Sequence, residues 1–135
     1  MPAPGNDLGG WYSSDTFHVF GQILSGLARL YAATGDAACK EKVDTLVSEW
    51  GKCIAADGYY SAKPDAPHYI YGKMVGGLVD AYLYCGNREA IGPLRRITDR
   101  GVKNLERSRR TADTSTEWYT LGENLYRAYL ATGEP

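Results

Sequence analysis

Glu117 ends the string Thr114-Ser115-Thr116-Glu117, just ahead of an apolar-periodic run. Two roles fit that spacing. As Thr-x-x-Glu it is a capping box, whose side chains satisfy the orphan backbone donors of a first helical turn. As a carboxylate at a helix mouth it is a ligand for a substrate hydroxyl, and one residue can serve both roles. Glu123, nearly two turns further along, reads as an ion pair with Arg127 at i+4. Tyr69, Tyr71 and Lys73 open another helix after a Pro-containing loop. Aromatic faces stack on the C–H surfaces of sugars, and a lysine binds hydroxyls or carboxylates; a Tyr-lined helix contact is the competing reading. Gln22 is either a hydroxyl ligand or an interior amide that satisfies its neighbours. Trp11 and Tyr12 precede the first helix, where they wall a pocket or staple the helix start. Asp15 and His18, at i and i+3, suit an acid–base or metal pair, or simply a cap and an incidental histidine. His68 is a loop residue.

Other chemistries lack their residues. Cys39, Cys53 and Cys85 are odd in number and show neither CxxC nor zinc-ligand spacing, so they read as reduced thiols and no metal site is expected. Lys103, Arg107, Arg109 and Arg110 form the one basic cluster, interrupted by Glu106 and followed by Asp113, which reads as a solvated helix end. Fifteen Lys+Arg against sixteen Asp+Glu leave a formal charge of -1, so no nucleic-acid partner is expected. No P-loop, dinucleotide fingerprint, nucleophile elbow or HExxH is present. No apolar run approaches the ~18 residues of a membrane span. The opening Met1-Pro2-Ala3-Pro4-Gly5 is not a signal peptide; cytoplasmic and secreted locations both stay open.

The elements that must position these residues are helices. Ala and Leu number 27 and Val and Ile only 11, a mixture that favours helix over sheet. The periodicity predicts helices over about Ser14 to Thr34, Ala37 to Ala55, Tyr69 to Cys85, a fourth around Pro93, and Ser115 to Thr132. In the first, Ile23 and Leu30 widen the apolar surface, which predicts burial on most sides. The second and fourth are amphipathic surface helices, the fourth with Ile91, Leu94, Ile97, Val102 and Leu105 inward. Pro93 falls in a first turn, where its missing N–H is tolerated.

The first, third and fifth helices close on related strings, GLARLYAATGD, GLVDAYLYCGN and NLYRAYLATGE. Their glycines, Gly35, Gly86 and Gly133, recur at about fifty residues, too long for a 34-residue helical repeat and right for a helix pair with one longer loop. Short turns follow the first and third helices; long connections, Asp57 to His68 and Arg107 to Thr114, precede the third and fifth. Inner helix, tight turn, outer helix and long loop is the plan of an α/α-hairpin toroid, so the fold class is all-α, with ligand sites at the inner-helix N-termini. Residues 1–135 read as one domain holding five helices of a partial ring, either a piece of a longer protein or a chain that dimerises. The unpaired fifth helix leaves an apolar face exposed, which calls for the remainder of the ring or a second copy of the chain.

These strings resemble the β-L-arabinofuranosidase-like glycoside hydrolases, whose catalytic domain is an (α/α)6 barrel of about twelve helices. The likeness runs over residues 10–135 and covers the N-terminal half of that barrel. Gly21-Gln22-Ile23-Leu24-Ser25 with Leu30-Tyr31-Ala32-Ala33-Thr34-Gly35-Asp36 is similar to the first inner helix, and Asp57-Gly58-Tyr59 to the loop after it. Tyr69, Lys73, Gly77-Leu78, Asp80, Tyr82 and Gly86-Asn87 match the third helix. Glu117, Glu123-Asn124-Leu125-Tyr126 and Thr132-Gly133 match the fifth. Two family histidines that contact sugar are replaced, by Gln22 and by Gly72. The resemblance implies a six-hairpin glycosidase acting on a terminal furanoside through a zinc-held cysteine nucleophile, with the nucleophile and zinc ligands outside this chain. It implies that Glu117, Gln22, Tyr69, Tyr71, Lys73 and Trp11 line part of a carbohydrate pocket, that none of them is catalytic, and that the chain alone is inactive. The alternative is a non-catalytic helical-repeat module that dimerises through its open apolar face. A third reading is another toroid enzyme acting on uronides.

Overall fold

The computed structural model describes residues 18–58, 67–105 and 120–134. Within them the chain forms five α-helices and no strand: α1 (His18–Thr34), α2 (Ala37–Cys53), α3 (Pro67–Cys85), α4 (Ile91–Asn104) and α5 (Thr120–Thr132). A 3-10 turn, Arg88–Ala90, leads into α4. The all-α plan expected from the repeat is the observed one. The predicted start of the first helix at Ser14 and of the fifth at Ser115 lie outside the described residues. Helix α3 begins two residues earlier than its periodicity suggested, with Pro67 in its first turn.

The repeat is visible as repeated hydrogen bonding. Gly35 adopts φ +71° and Gly86 φ +66°, a left-handed conformation that only glycine reaches without strain, and it reverses the chain after one residue. Their N–H groups donate to Tyr31 (2.8 Å) and Tyr82 (3.1 Å) carbonyls. Asp36 then caps α2 by accepting from the Ala38 N–H at 2.9 Å, and Asn87 accepts from Ala90 at 3.1 Å. The Thr-Gly-acid strings behave alike. Thr34 Oγ1 donates to the Leu30 carbonyl and accepts from the Asp36 N–H; Thr132 Oγ1 does the same with Ala128 and Glu134.

Helix α3 is the axis of the arrangement. It packs between α1 and α5 in an inner layer, and α2 and α4 lie behind that layer. One core joins the layers: Leu24 and Ala28 of α1, Val43, Val47 and Trp50 of α2, Ile70, Met74, Val75 and Leu78 of α3, Leu94 and Ile97 of α4, and Leu121 and Ala128 of α5. Phe20 stacks on Trp50 at 5.3 Å. The α1–α3 crossing is backbone to backbone. A Cβ on Gly21 would stand 2.2 Å from the Lys73 carbonyl oxygen, and one on Gly77 would stand 2.7 Å from the Gly21 oxygen.

Two expectations are corrected by this packing. Ile23 and Leu30 of α1 are each 49% exposed, not buried on most sides, because α3 covers only one flank of α1. Val102 of α4 is exposed rather than inward, while Leu94 and Ile97 carry the buried stripe. Tyr126, Tyr129 and Leu130 of α5 are exposed as well.

Candidate functional site

The inner helices turn a second face away from the core, and a cleft of about 400 Å³ opens between them. That size falls within the range of small-ligand sites. Residues at helical spacing line it: Gln22, Ser25, Gly26 and Arg29 on α1, Tyr69, Lys73, Gly76 and Gly77 on α3, and Thr120, Glu123, Asn124 and Arg127 on α5. Measured back from the repeat glycines, these are the same positions in each helix. Gln22, Lys73 and Thr120 are equivalent; so are Ser25, Gly76 and Glu123; so are Gly26, Gly77 and Asn124. The repeat therefore places one face of three helices around one opening.

The deepest equivalent set is Arg29, Asp80 and Arg127, each six residues before its glycine. Asp80 is 2% exposed and stands behind the cleft wall. Its Oδ2 accepts from Ser25 Oγ and from Arg29 Nε at 2.8 Å, and its Oδ1 accepts from an Arg127 guanidinium nitrogen at 3.3 Å. A buried carboxylate is stable only with such partners. The hydrogen bond Arg29 donates to Asp80, then the carboxylate's charge, holds the Arg29 guanidinium above its usual range. The Arg29 side chain is 58% exposed and that of Arg127 30%. Arg29 also lies over the Tyr84 ring, 5.5 Å from its centroid.

Of the residues singled out from the sequence, Gln22, Tyr69 and Lys73 meet in this cleft. Lys73 Nζ sits 4.6 Å from the centre of the Tyr69 ring, which fixes both at the α3 end of the opening. Tyr71 does not join them. Two residues along a helix is about 200° of rotation, so Tyr71 points to the opposite side. There it is fully buried, its hydroxyl donating to Thr98 Oγ1 at 3.2 Å and its ring lying against Gly101 of α4. Burial pushes its hydroxyl pKa up, more than the Thr98 bond lowers it. The expected Glu123–Arg127 pair is replaced as well: Arg127 reaches across to Asp80, and Glu123 stays exposed at the cleft. Glu117, Trp11, Tyr12 and Asp15 lie outside the described residues. His68 is buried and engaged at the start of α3.

Arg29, Asp80, Arg127 and Asn124 are the site residues that spacing within one helix does not reveal. A signal existed nonetheless. Aligning the three related strings on their glycines puts Arg, Asp and Arg in one column, in helices otherwise poor in charge. Asn124 is buried, with its amide donating to the Thr120 carbonyl at 2.9 Å, and Gly72 is the small residue that admits it.

The described residues do not fit a zinc centre. Cys39 and Cys85 are buried, Cys53 is exposed, and none lines the cleft. Burial pushes the Cys39 and Cys85 thiols up, away from the thiolate a metal ligand needs. Among the described residues no group of three or more His, Cys, Asp or Glu is placed to hold a metal ion. Nor is any described helix long and apolar enough to cross a membrane. The cleft as described offers amide, hydroxyl, aromatic and cationic groups, and its carboxylates are Glu123 at the wall and Asp80 behind it. Such groups can donate hydrogen bonds to hydroxyls and accept them.

A family model described as the catalytic domain of β-L-arabinofuranosidase, GH127, matches residues 2–135. No curated protein and no solved structure matches the chain.

Proposed function

The chain belongs to the β-L-arabinofuranosidase GH127 catalytic-domain family, and from that premise we propose that its α1–α3–α5 cleft binds the sugar of a glycoside. The observation that carries this reading is the convergence of Gln22, Tyr69 and Lys73, from two helices, on one opening of sugar size. Tyr69 offers its ring to the C–H face of a sugar, with Lys73 already fixed over it. Gln22 offers both a donor and an acceptor to hydroxyls. The described residues supply binding and orientation; bond cleavage needs an acid–base or nucleophilic pair that they do not bring together.

Titration of the 135-residue chain with L-arabinose, followed by calorimetry, tests this directly. Weak binding that falls at least about fivefold in Lys73→Ala and in Tyr69→Ala is expected, since each change removes roughly 1 kcal/mol of contact. Binding unchanged in both variants removes the cleft as the site. Hydrolysis of an aryl β-L-arabinofuranoside by the same purified chain would contradict a purely binding role.

A second reading rests on the exposed Ile23, Leu30, Tyr126, Tyr129 and Leu130. An apolar surface of that kind on α1 and α5 suits association with further helical hairpins or with a second copy of the chain. Sedimentation equilibrium decides between a monomer, which leaves that face bare, and a dimer. A dimer that ignores sugars would favour an interaction module over a pocket.

A further inference from the structure

Among the described residues three positive side chains line the cleft, Arg29, Lys73 and Arg127, against two carboxylates, Glu123 at its wall and Asp80 behind it. The whole chain carries a formal charge of -1, so the cleft is a local excess of positive charge. The excess is built, not incidental. Asp80 is buried and bonds one nitrogen of each arginine, and both arginine side chains line the cleft, 58% and 30% exposed. Gly76 keeps the space that Arg127 occupies, since a Cβ there would come within 3.3 Å of its guanidinium. A neutral sugar does not require this. Hydroxyls are served by Gln22, and a buried carboxylate carries a desolvation cost that a neutral ligand does not recover. Two guanidiniums anchored on one side and open on the other match a carboxylate, which accepts charge-assisted hydrogen bonds from planar donors.

We propose that Arg29 and Arg127, held by Asp80, form a subsite for the carboxylate of an acidic sugar, so that the cleft prefers a uronide-type ligand to its neutral counterpart. This rests on the carbohydrate reading of the same cleft. Asp80 is a positioning residue: it touches the arginines and not the ligand.

The experiment titrates the full chain with D-galacturonate, D-galactose and sodium sulfate, at low and at high salt. D-galacturonate is expected to bind about tenfold more tightly than D-galactose at low salt, the worth of one charge-assisted hydrogen bond. That preference shrinks at high salt. It disappears in Arg29→Gln and Arg127→Gln. Arg29 is the more exposed of the two, so Arg29→Gln and the salt dependence of the unmodified chain decide the matter even if Arg127→Gln does not fold. Equal binding of the two sugars overturns the carboxylate subsite and leaves the carbohydrate reading standing. Sulfate binding as tightly as D-galacturonate also overturns it, because the arginines would then hold any anion. Failure of both sugars to bind removes the carbohydrate reading and this inference with it.

Discussion

On one side of α3, Tyr71, Val75 and Leu78 are fully buried towards the outer layer; on the other, Tyr69, Lys73 and Gly76 line the cleft, with Asp80 buried behind its wall. The same helix thus obeys two physical rules. The packed side is stabilised by removing apolar area from water, about 25 cal/mol per Å², and tolerates little change in volume. The cleft side buries one charge, covers it with two arginines and a serine, and otherwise stays open. Such a side adds little net stability, and it is the side on which the proposed ligand role rests. The contrast sets stability on one face and the proposed function on the other, and the substitutions below test it.

The largest loss is expected on the packed face. Leu78→Ala removes a fully buried side chain at the centre of the core and is expected to cost about 4 kcal/mol in urea unfolding. Gly21→Ala is next, at about 3 kcal/mol, because its Cβ would meet a backbone carbonyl that cannot step aside. Gly26→Ala is the matched control on the same helix: nothing lies within 4 Å of its Cβ, so the better helix former is expected to stabilise by up to about 1 kcal/mol. Equal losses at Gly21 and Gly26 would mean that α1 and α3 do not touch as described. Asp80→Ala is expected to cost about 2 kcal/mol, less than Leu78→Ala, because the freed arginines are partly exposed and can hydrate. A larger cost for Asp80→Ala than for Leu78→Ala would break the division between the two faces.

The smallest effect is pH-dependent. Tyr71→Phe removes one buried hydrogen bond, at about 1 kcal/mol near neutral pH. The hydroxyl is held above its ordinary pKa of about 10 in the folded chain. The unfolded chain therefore ionises first as pH rises, and the contribution of Tyr71, complete below pH ~10, is lost as pH climbs towards its folded value. Stability of Tyr71→Phe should consequently fall less steeply above pH ~10 than that of the unmodified chain. Parallel slopes would place Tyr71 in water.

Much of the scaffold was legible in the sequence for local reasons. Gly35-Asp36 and Gly86-Asn87 encode a left-handed stop and a cap within two residues, and both act as such. Amphipathic spacing in α2 and α4 located their buried stripes, because an outer helix has one apolar side and one wet one. The inner helices were harder to read. Helix α3 is covered on one side, crowded on two flanks and polar on the fourth, while α1 and α5 leave one flank bare, so apolar periodicity alone does not place Ile23, Leu30 and Tyr71 in their observed surroundings. The site was half legible. Gln22, Tyr69 and Lys73 declared themselves by type, while Arg29, Asp80 and Arg127 stand 51 and 47 residues apart. Only the repeat relates them, since a charge buried between helices leaves no mark on the periodicity of any one helix.

The division between a packed face and a binding face is tested most directly by following backbone amides during a sugar titration. In a 1H–15N spectrum of the chain titrated with L-arabinose, the amides of Gly72, Gly76 and Gly77 at the cleft are predicted to shift progressively. Those of Gly92 and Gly101 on α4 should stay in place. Shifts centred on Gly92 and Gly101, with the α3 glycines unmoved, would contradict the assignment of the cleft as the functional face.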